Sequence, residues 1–176
     1  PSITANGHIG ILATPATVQS QSYLMELAKI SAEREQANQP VLVVSQQECP
    51  MWVPLIESGE HNQSGADYFI DLYLRRLFAQ DETIDTLVLG CTHYPLIKEA
   101  IARHLTTMGK GGVHIIAQGT LVAESLVNYL QRHTEYREQL SEEGSCVYLT
   151  TEDADRFAQS ASTFLGSSIE AQHIDL

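Results

Sequence analysis

The chain has 176 residues, 43% of them apolar, and a mean hydropathy near zero, which suits one ordinary domain or two small ones and excludes a disordered tail. Its 22 acidic and 10 basic residues give a net charge of −12, the wrong sign for a nucleic-acid surface, and only Arg75-Arg76 and Lys110 offer local positive charge. No apolar run approaches the roughly 20 residues of a membrane helix. The opening PSITANGHIG lacks the regions of a secretory signal, and Cys49, Cys91 and Cys146 form no C-x-x-C pair, so a reducing, cytoplasmic setting is expected.

Short β-rich runs alternate with longer amphipathic stretches. HIGILA, from His8 to Ala13, reads as a strand, followed by a helix from about Val18 to Gln36. VLVVS, from Val41 to Ser45, reads as a second strand. The segment from Gln46 to Gly65 holds two prolines and two glycines, which forbid a long regular element. From Ala66 to Gln80, Phe69, Leu72, Tyr73 and Leu77 keep helical spacing.

The apolar run Leu87, Val88, Leu89 then reads as a buried strand, with Pro95 opening a helix that runs to about Thr107. VHIIA, from Val113 to Ala117, is a further strand, followed by a helix with Leu121, Leu126, Tyr129 and Leu130 on one face. Ser145–Thr150 reads as a strand, Asp153–Leu165 as a helix, and IEAQHIDL contributes a last short strand. Such alternation predicts an α/β fold of parallel strands with helices on both faces. Ligands of open α/β sheets bind beyond the carboxyl ends of the strands. Thr14 and Thr17, then Cys91 to His93, then Gln118 and Thr120 follow three of those ends, and the loop after the second strand brings Glu57.

Cys91 is the leading candidate. It stands after Gly90 at a strand end, before an expected helix N-terminus whose N–H groups and dipole favour a thiolate, with His93 two residues on. A free cysteine can also be a small buried hydrophobe; Cys49 and Cys146 lack such neighbours and are read that way. His93 either serves Cys91 or a substrate carboxylate, or satisfies a backbone carbonyl. Glu57 ends the apolar run VPLIE and is either an acid–base group or a solvated loop carboxylate. Thr14 and Thr17 either cap the first helix or hold a substrate carboxylate at its N-terminus, and the two readings are compatible. No H-x-x-x-H or C-x-x-C spacing supports a metal, and G-x-G-x-x-G, a P-loop and G-x-S-x-G are absent.

IDTLVLGCTHYPLI resembles the second-half motif of glutamate racemases. IGILATPATVQS is similar to the family's segment at the start of its second lobe, where G-T-x-G-T is usual. ECPMWVPLIESG resembles a further family segment, and CVYLTTEDADRFAQSASTFLG its last strand–helix unit. The resemblance implies cofactor-independent interconversion of L- and D-glutamate by two cysteines on opposite faces of the α-carbon, supplying D-glutamate for peptidoglycan. It implies that Cys91 is one of the two bases, that His93 and Glu57 assist it, and that Thr14, Thr17, Thr92 and His93 hold the substrate. Other superfamily members, acting on aspartate, hydantoins or arylmalonates, and a non-catalytic binding module are the alternatives.

There are departures from the family pattern. D-S-G-x-G-G is absent, as is the later A-C-N-T segment that carries the other cysteine; Ala16 stands where Gly is usual, and Gln118-Gly119 replaces S-G. The resemblance therefore implies a C-terminal portion, with residues 1–112 forming the second lobe and residues 113–176 returning to complete the first. Such a chain is expected to be inactive alone, and to self-associate through the apolar surface left uncovered.

Overall fold

The computed structural model describes residues 4–141 and 144–176. They form two compact units, the first reaching to Leu121 and the second beginning at Val122. In the first, β1 (His8–Ala13), β2 (Val43–Glu48), β3 (Thr86–Leu89) and β4 (His114–Ala117) make one sheet in the order β2-β1-β3-β4. Every neighbouring pair is parallel, with Leu12 opposite both Gln47 and Leu89. All four carboxyl ends thus lie along one edge. The expected α/β class is borne out.

β2 runs further than its apolar residues suggest. Val41 and Leu42 precede it, while Gln46, Gln47 and Glu48 extend it because β1 continues alongside as far as Ala13. The partner's backbone ladder outweighs the weak strand preference of these side chains.

The expected single helix after β1 is two, α1 (Pro15–Ser20) and α2 (Ser22–Gln36). Gln21 between them has φ +54°, and its N–H donates to the Val18 carbonyl. The Ser20 and Ser22 hydroxyls meet at 2.9 Å across the break, and such local polar pairing competes with a continuous helix. Between β2 and the next long helix lies α3 (Trp52–Glu57), only six residues long, in keeping with the prolines and glycines that forbid a long element there. Pro54 sits in its first turn, where a missing N–H costs no intrahelical bond.

In α4 (Ser64–Gln80) the buried face is Ala66, Ile70, Tyr73, Leu74, Leu77 and Phe78. Tyr73 and Leu77 were legible from the spacing, but Phe69 and Leu72 are only half-buried. Full burial of Leu74 and Leu77 stabilises by about 1.5–3 kcal/mol each. After β3 comes a 3₁₀ turn, Tyr94–Ile97, and only then α5 (Lys98–Thr107). Cys91 therefore precedes a 3₁₀ turn rather than the N-terminus of an α-helix, so the expected helix-dipole contribution to its thiolate is not built as foreseen.

Asp85 fastens the chain that precedes β1. Its carboxylate accepts from Thr4 Oγ1 at 2.6 Å, from the Ala5 and Asn6 N–H groups, and from Thr86 Oγ1. Burial pushes its acidity down, but these hydrogen bonds outweigh burial and hold the carboxyl below its ordinary 3.8. A depressed folded-state value means stabilisation that is present above the unfolded value and lost as pH falls through the folded one. Urea midpoints of the native chain should therefore fall as pH drops below about 4, where an unperturbed carboxylate titrates, while Asp85→Asn starts lower and shows a shallower fall.

In the second unit, β5 (Tyr148–Thr150) and β6 (Ala171–His173) pair in parallel. α8 (Ala154–Leu165) joins them, capped by Asp153, whose side chain accepts from the Arg156 N–H at 2.8 Å. α6 (Gln118–Arg132) starts directly after β4 and crosses the division between the units, and α7 (Thr134–Arg137) follows it. β4 thus pairs inside the first sheet. None of the α6 residues is buried; Val122, Leu126, Val127 and Tyr129 are exposed. Among the described residues no helix is long and apolar enough to cross a membrane.

Candidate active site

β1 and β3 lie side by side, and their carboxyl ends set the first half of the site. The Gly90 N–H donates to the Leu12 carbonyl at 2.8 Å. A Cβ at Gly90 would lie 3.1 Å from both the Leu12 oxygen and Ala13 Cβ. Glycine thus permits the close approach that puts Cys91 beside the strand leading to Thr14.

Thr14 caps α1. Its hydroxyl accepts from the Thr17 N–H at 3.4 Å and lies 3.0 Å from the Thr17 hydroxyl. The cap is Thr14, and Thr17 sits within the helix. Both are half-buried at the rim.

Cys91, His93 and Glu57 are brought into one chain of contacts. Cys91 Sγ is 3.7 Å from His93 Nδ1, and His93 Nε2 is 3.0 Å from Glu57 Oε1. Thr92 Oγ1 is 3.5 Å from the same Nδ1. Glu57 lies at the end of α3 and not in a loop, which aims it across to the turn after β3. A carboxylate can only accept, so Nε2 donates to Glu57, and Nδ1 faces both the Cys91 thiol and the Thr92 hydroxyl. In such an arrangement a proton passed from the thiol to the imidazole would leave a thiolate beside an imidazolium, with the carboxylate next to the latter. Glu57 is 58% and His93 24% exposed, so the ion pair is open to solvent screening while the imidazole is sheltered.

Of the other strand-end residues, Gln118 begins α6 and its amide donates to the Tyr23 hydroxyl; Thr120 is exposed. Cys49 is buried, and that burial pushes its thiol well above the ordinary range, which keeps it protonated. Cys146 is exposed in the second unit. Among the described residues no group of three or more His, Cys, Asp or Glu is placed to hold a metal.

Sequence reasoning missed Tyr94 and Trp52. Both are fully buried, with rings edge-on at 4.8 Å, and Tyr94 directly follows His93 in the chain. Their only sequence signals were a tyrosine inside THYP and the single tryptophan, 42 positions apart by number, 94 − 52.

The class of protein is thus an α/β protein whose parallel sheet carries a thiol, an imidazole and a carboxylate in contact at its carboxyl rim. Comparison with known proteins makes this particular. No protein-family model matches the chain. Glutamate racemase from Streptococcus uberis is 31% identical over 176 residues, covering 98% of this chain and 60% of the relative. Among solved structures, glutamate racemase isoform RacE1 from Bacillus anthracis superposes with a TM-score of 0.78 at 27% identity, covering 98% of this chain and 59% of that one. The Francisella tularensis glutamate racemase in complex with D-glutamate gives 0.74 at 27%, covering 97% and 57%. The chain is therefore similar to glutamate racemases along nearly its entire length, and it spans about 60% of theirs.

Proposed function

We propose that the chain carries one proton-transfer half of a glutamate racemase site, acting without a cofactor. The observation that carries this reading is the contact chain from Cys91 Sγ through His93 to Glu57, 3.7 Å and then 3.0 Å. The Cys91 thiolate takes the α-proton of glutamate, becoming a thiol and leaving a carbanion stabilised by the substrate carboxylate. His93 and Glu57 hold the thiolate form beforehand. Thr14, Thr17 and Thr92 bind the substrate's polar groups, the first two at the N-terminus of α1. The D-glutamate in the Francisella complex supports this ligand class.

Inversion requires a second acid that delivers a proton to the opposite face. Cys49 is buried, and neither it nor Cys146 stands in an A-C-N-T segment like the one that carries the family's other cysteine, so neither is assigned that role. In the whole protein the second cysteine comes from outside these residues, residues 113–176 complete the lobe that holds it, and the D-glutamate made enters cytoplasmic peptidoglycan synthesis. The exposed apolar side chains of α6 favour self-association of this chain alone.

Calorimetric titration with D-glutamate and with D-aspartate, alongside polarimetry, tests the reading. The expected result is weak binding of glutamate in preference to aspartate, with no change of optical rotation. Full racemisation by this chain alone, or preference for aspartate, would overturn it.

A further inference from the structure

We propose that Tyr94 is a positioning residue for the Cys91–His93–Glu57 chain, an inference that rests on the proton-transfer reading above. The reacting side chains come from two separate segments: the turn after β3 supplies Cys91 and His93, and α3 supplies Glu57. One carbonyl joins them. The Cys49 carbonyl accepts from the Tyr94 hydroxyl at 3.3 Å, and also from the Trp52 N–H at 3.3 Å, the bond that opens α3. The Cys49 N–H in turn donates to the Ala13 carbonyl at 2.8 Å, which ties this node to the end of β1.

The rings repeat the connection. Tyr94 meets Trp52 edge-on at 4.8 Å with an 80° interplanar angle, and Trp52 meets Tyr73 of α4 at 5.8 Å. A buried tyrosine hydroxyl needs a partner somewhere. Here the partner is the carbonyl that already starts the Glu57 helix, and Tyr94 is the neighbour in sequence of His93. A shift of that hydroxyl therefore moves the His93 side of the relay relative to Glu57. Loops set by such supporting bonds lose function when geometry slips by about 1 Å.

The test uses the full chain and follows Cys91 alkylation by iodoacetamide against pH, resolved by peptide mass spectrometry, with the exposed Cys146 as internal reference. Glu57→Gln is expected to move the Cys91 profile to higher pH. Tyr94→Phe should move it the same way, lowering the rate at pH 7 by about threefold, since a thiol reacts in proportion to its thiolate fraction. The double variant should move no further than Glu57→Gln alone, and Cys146 should not respond. Trp52→Phe keeps the Tyr94 hydroxyl and should give a smaller shift in the same direction; it serves if Tyr94→Phe fails to fold. A Tyr94→Phe profile that stays in place while only the melting temperature drops overturns the positioning role and leaves the relay intact. If Glu57→Gln itself leaves the profile unmoved, the relay fails and the positioning role falls with it.

Discussion

Exchange of the glutamate α-proton for deuterium, followed by proton NMR in D₂O, is expected to stop when Cys91 is replaced by serine. The native chain should exchange one enantiomer's proton, because a single base reaches one face of the α-carbon. A serine hydroxyl is a far poorer base than a thiolate, and loss of a positioned base typically costs about 10²- to 10⁴-fold. Cys146→Ser is the control and should leave the rate unchanged, as that exposed thiol has no part in the contacts of Cys91, His93 and Glu57. His93→Gln should slow exchange by less than Cys91→Ser, since it removes the group that receives the thiol proton and not the base itself. Unaltered exchange in Cys91→Ser would remove this cysteine from the chemistry.

The second large effect concerns folding. Gly7→Ala is expected to destabilise the chain by about 2–4 kcal/mol, combining a left-handed backbone with a backbone collision. Gly7 has φ +91°, and a Cβ there would lie 2.6 Å from the Val41 carbonyl oxygen, an atom that cannot swing away as a side chain would. The same residue begins the β1–β2 ladder: its carbonyl accepts from the Val43 N–H at 2.9 Å, and its own N–H donates to Thr4 Oγ1 at 2.9 Å. Relief of the collision therefore means loosening the first rungs of that pairing. Urea unfolding monitored by Trp52 fluorescence measures the effect; a midpoint equal to that of the unsubstituted chain would refute it.

The strand into Cys91 was legible because a continuous run of Leu87, Val88 and Leu89 suits a strand covered on both faces, and the glycine after it marks where the run must stop. The parallel α/β class followed from the alternation of such runs with helical spacing. The capping role fell to Thr14 and not Thr17, because the helix begins at Pro15, ahead of the expected start near Val18. Other features had no local sign. The register of β2 depends on β1 and not on its own side chains. The break at Gln21 turns on one backbone bond and a serine pair. The apolar residues of α6 have helical spacing but lie on no buried face within this chain, which periodicity cannot reveal.

The candidate site divides along the same line. Sequence alone determined which chemical groups stand at strand ends: a thiol and an imidazole two residues apart, threonines after the first strand, and a carboxylate ending an apolar run. Only the tertiary structure decided that Glu57 meets His93 at 3.0 Å, that Cys49 is sealed away, and that Tyr94 and Trp52 share one carbonyl. Residue type and short spacing follow from the local chain, whose period of two or 3.6 orders only near neighbours. Contacts between residues 36 or 45 positions apart depend on how sheet and helices pack, and that packing is a property of the whole fold.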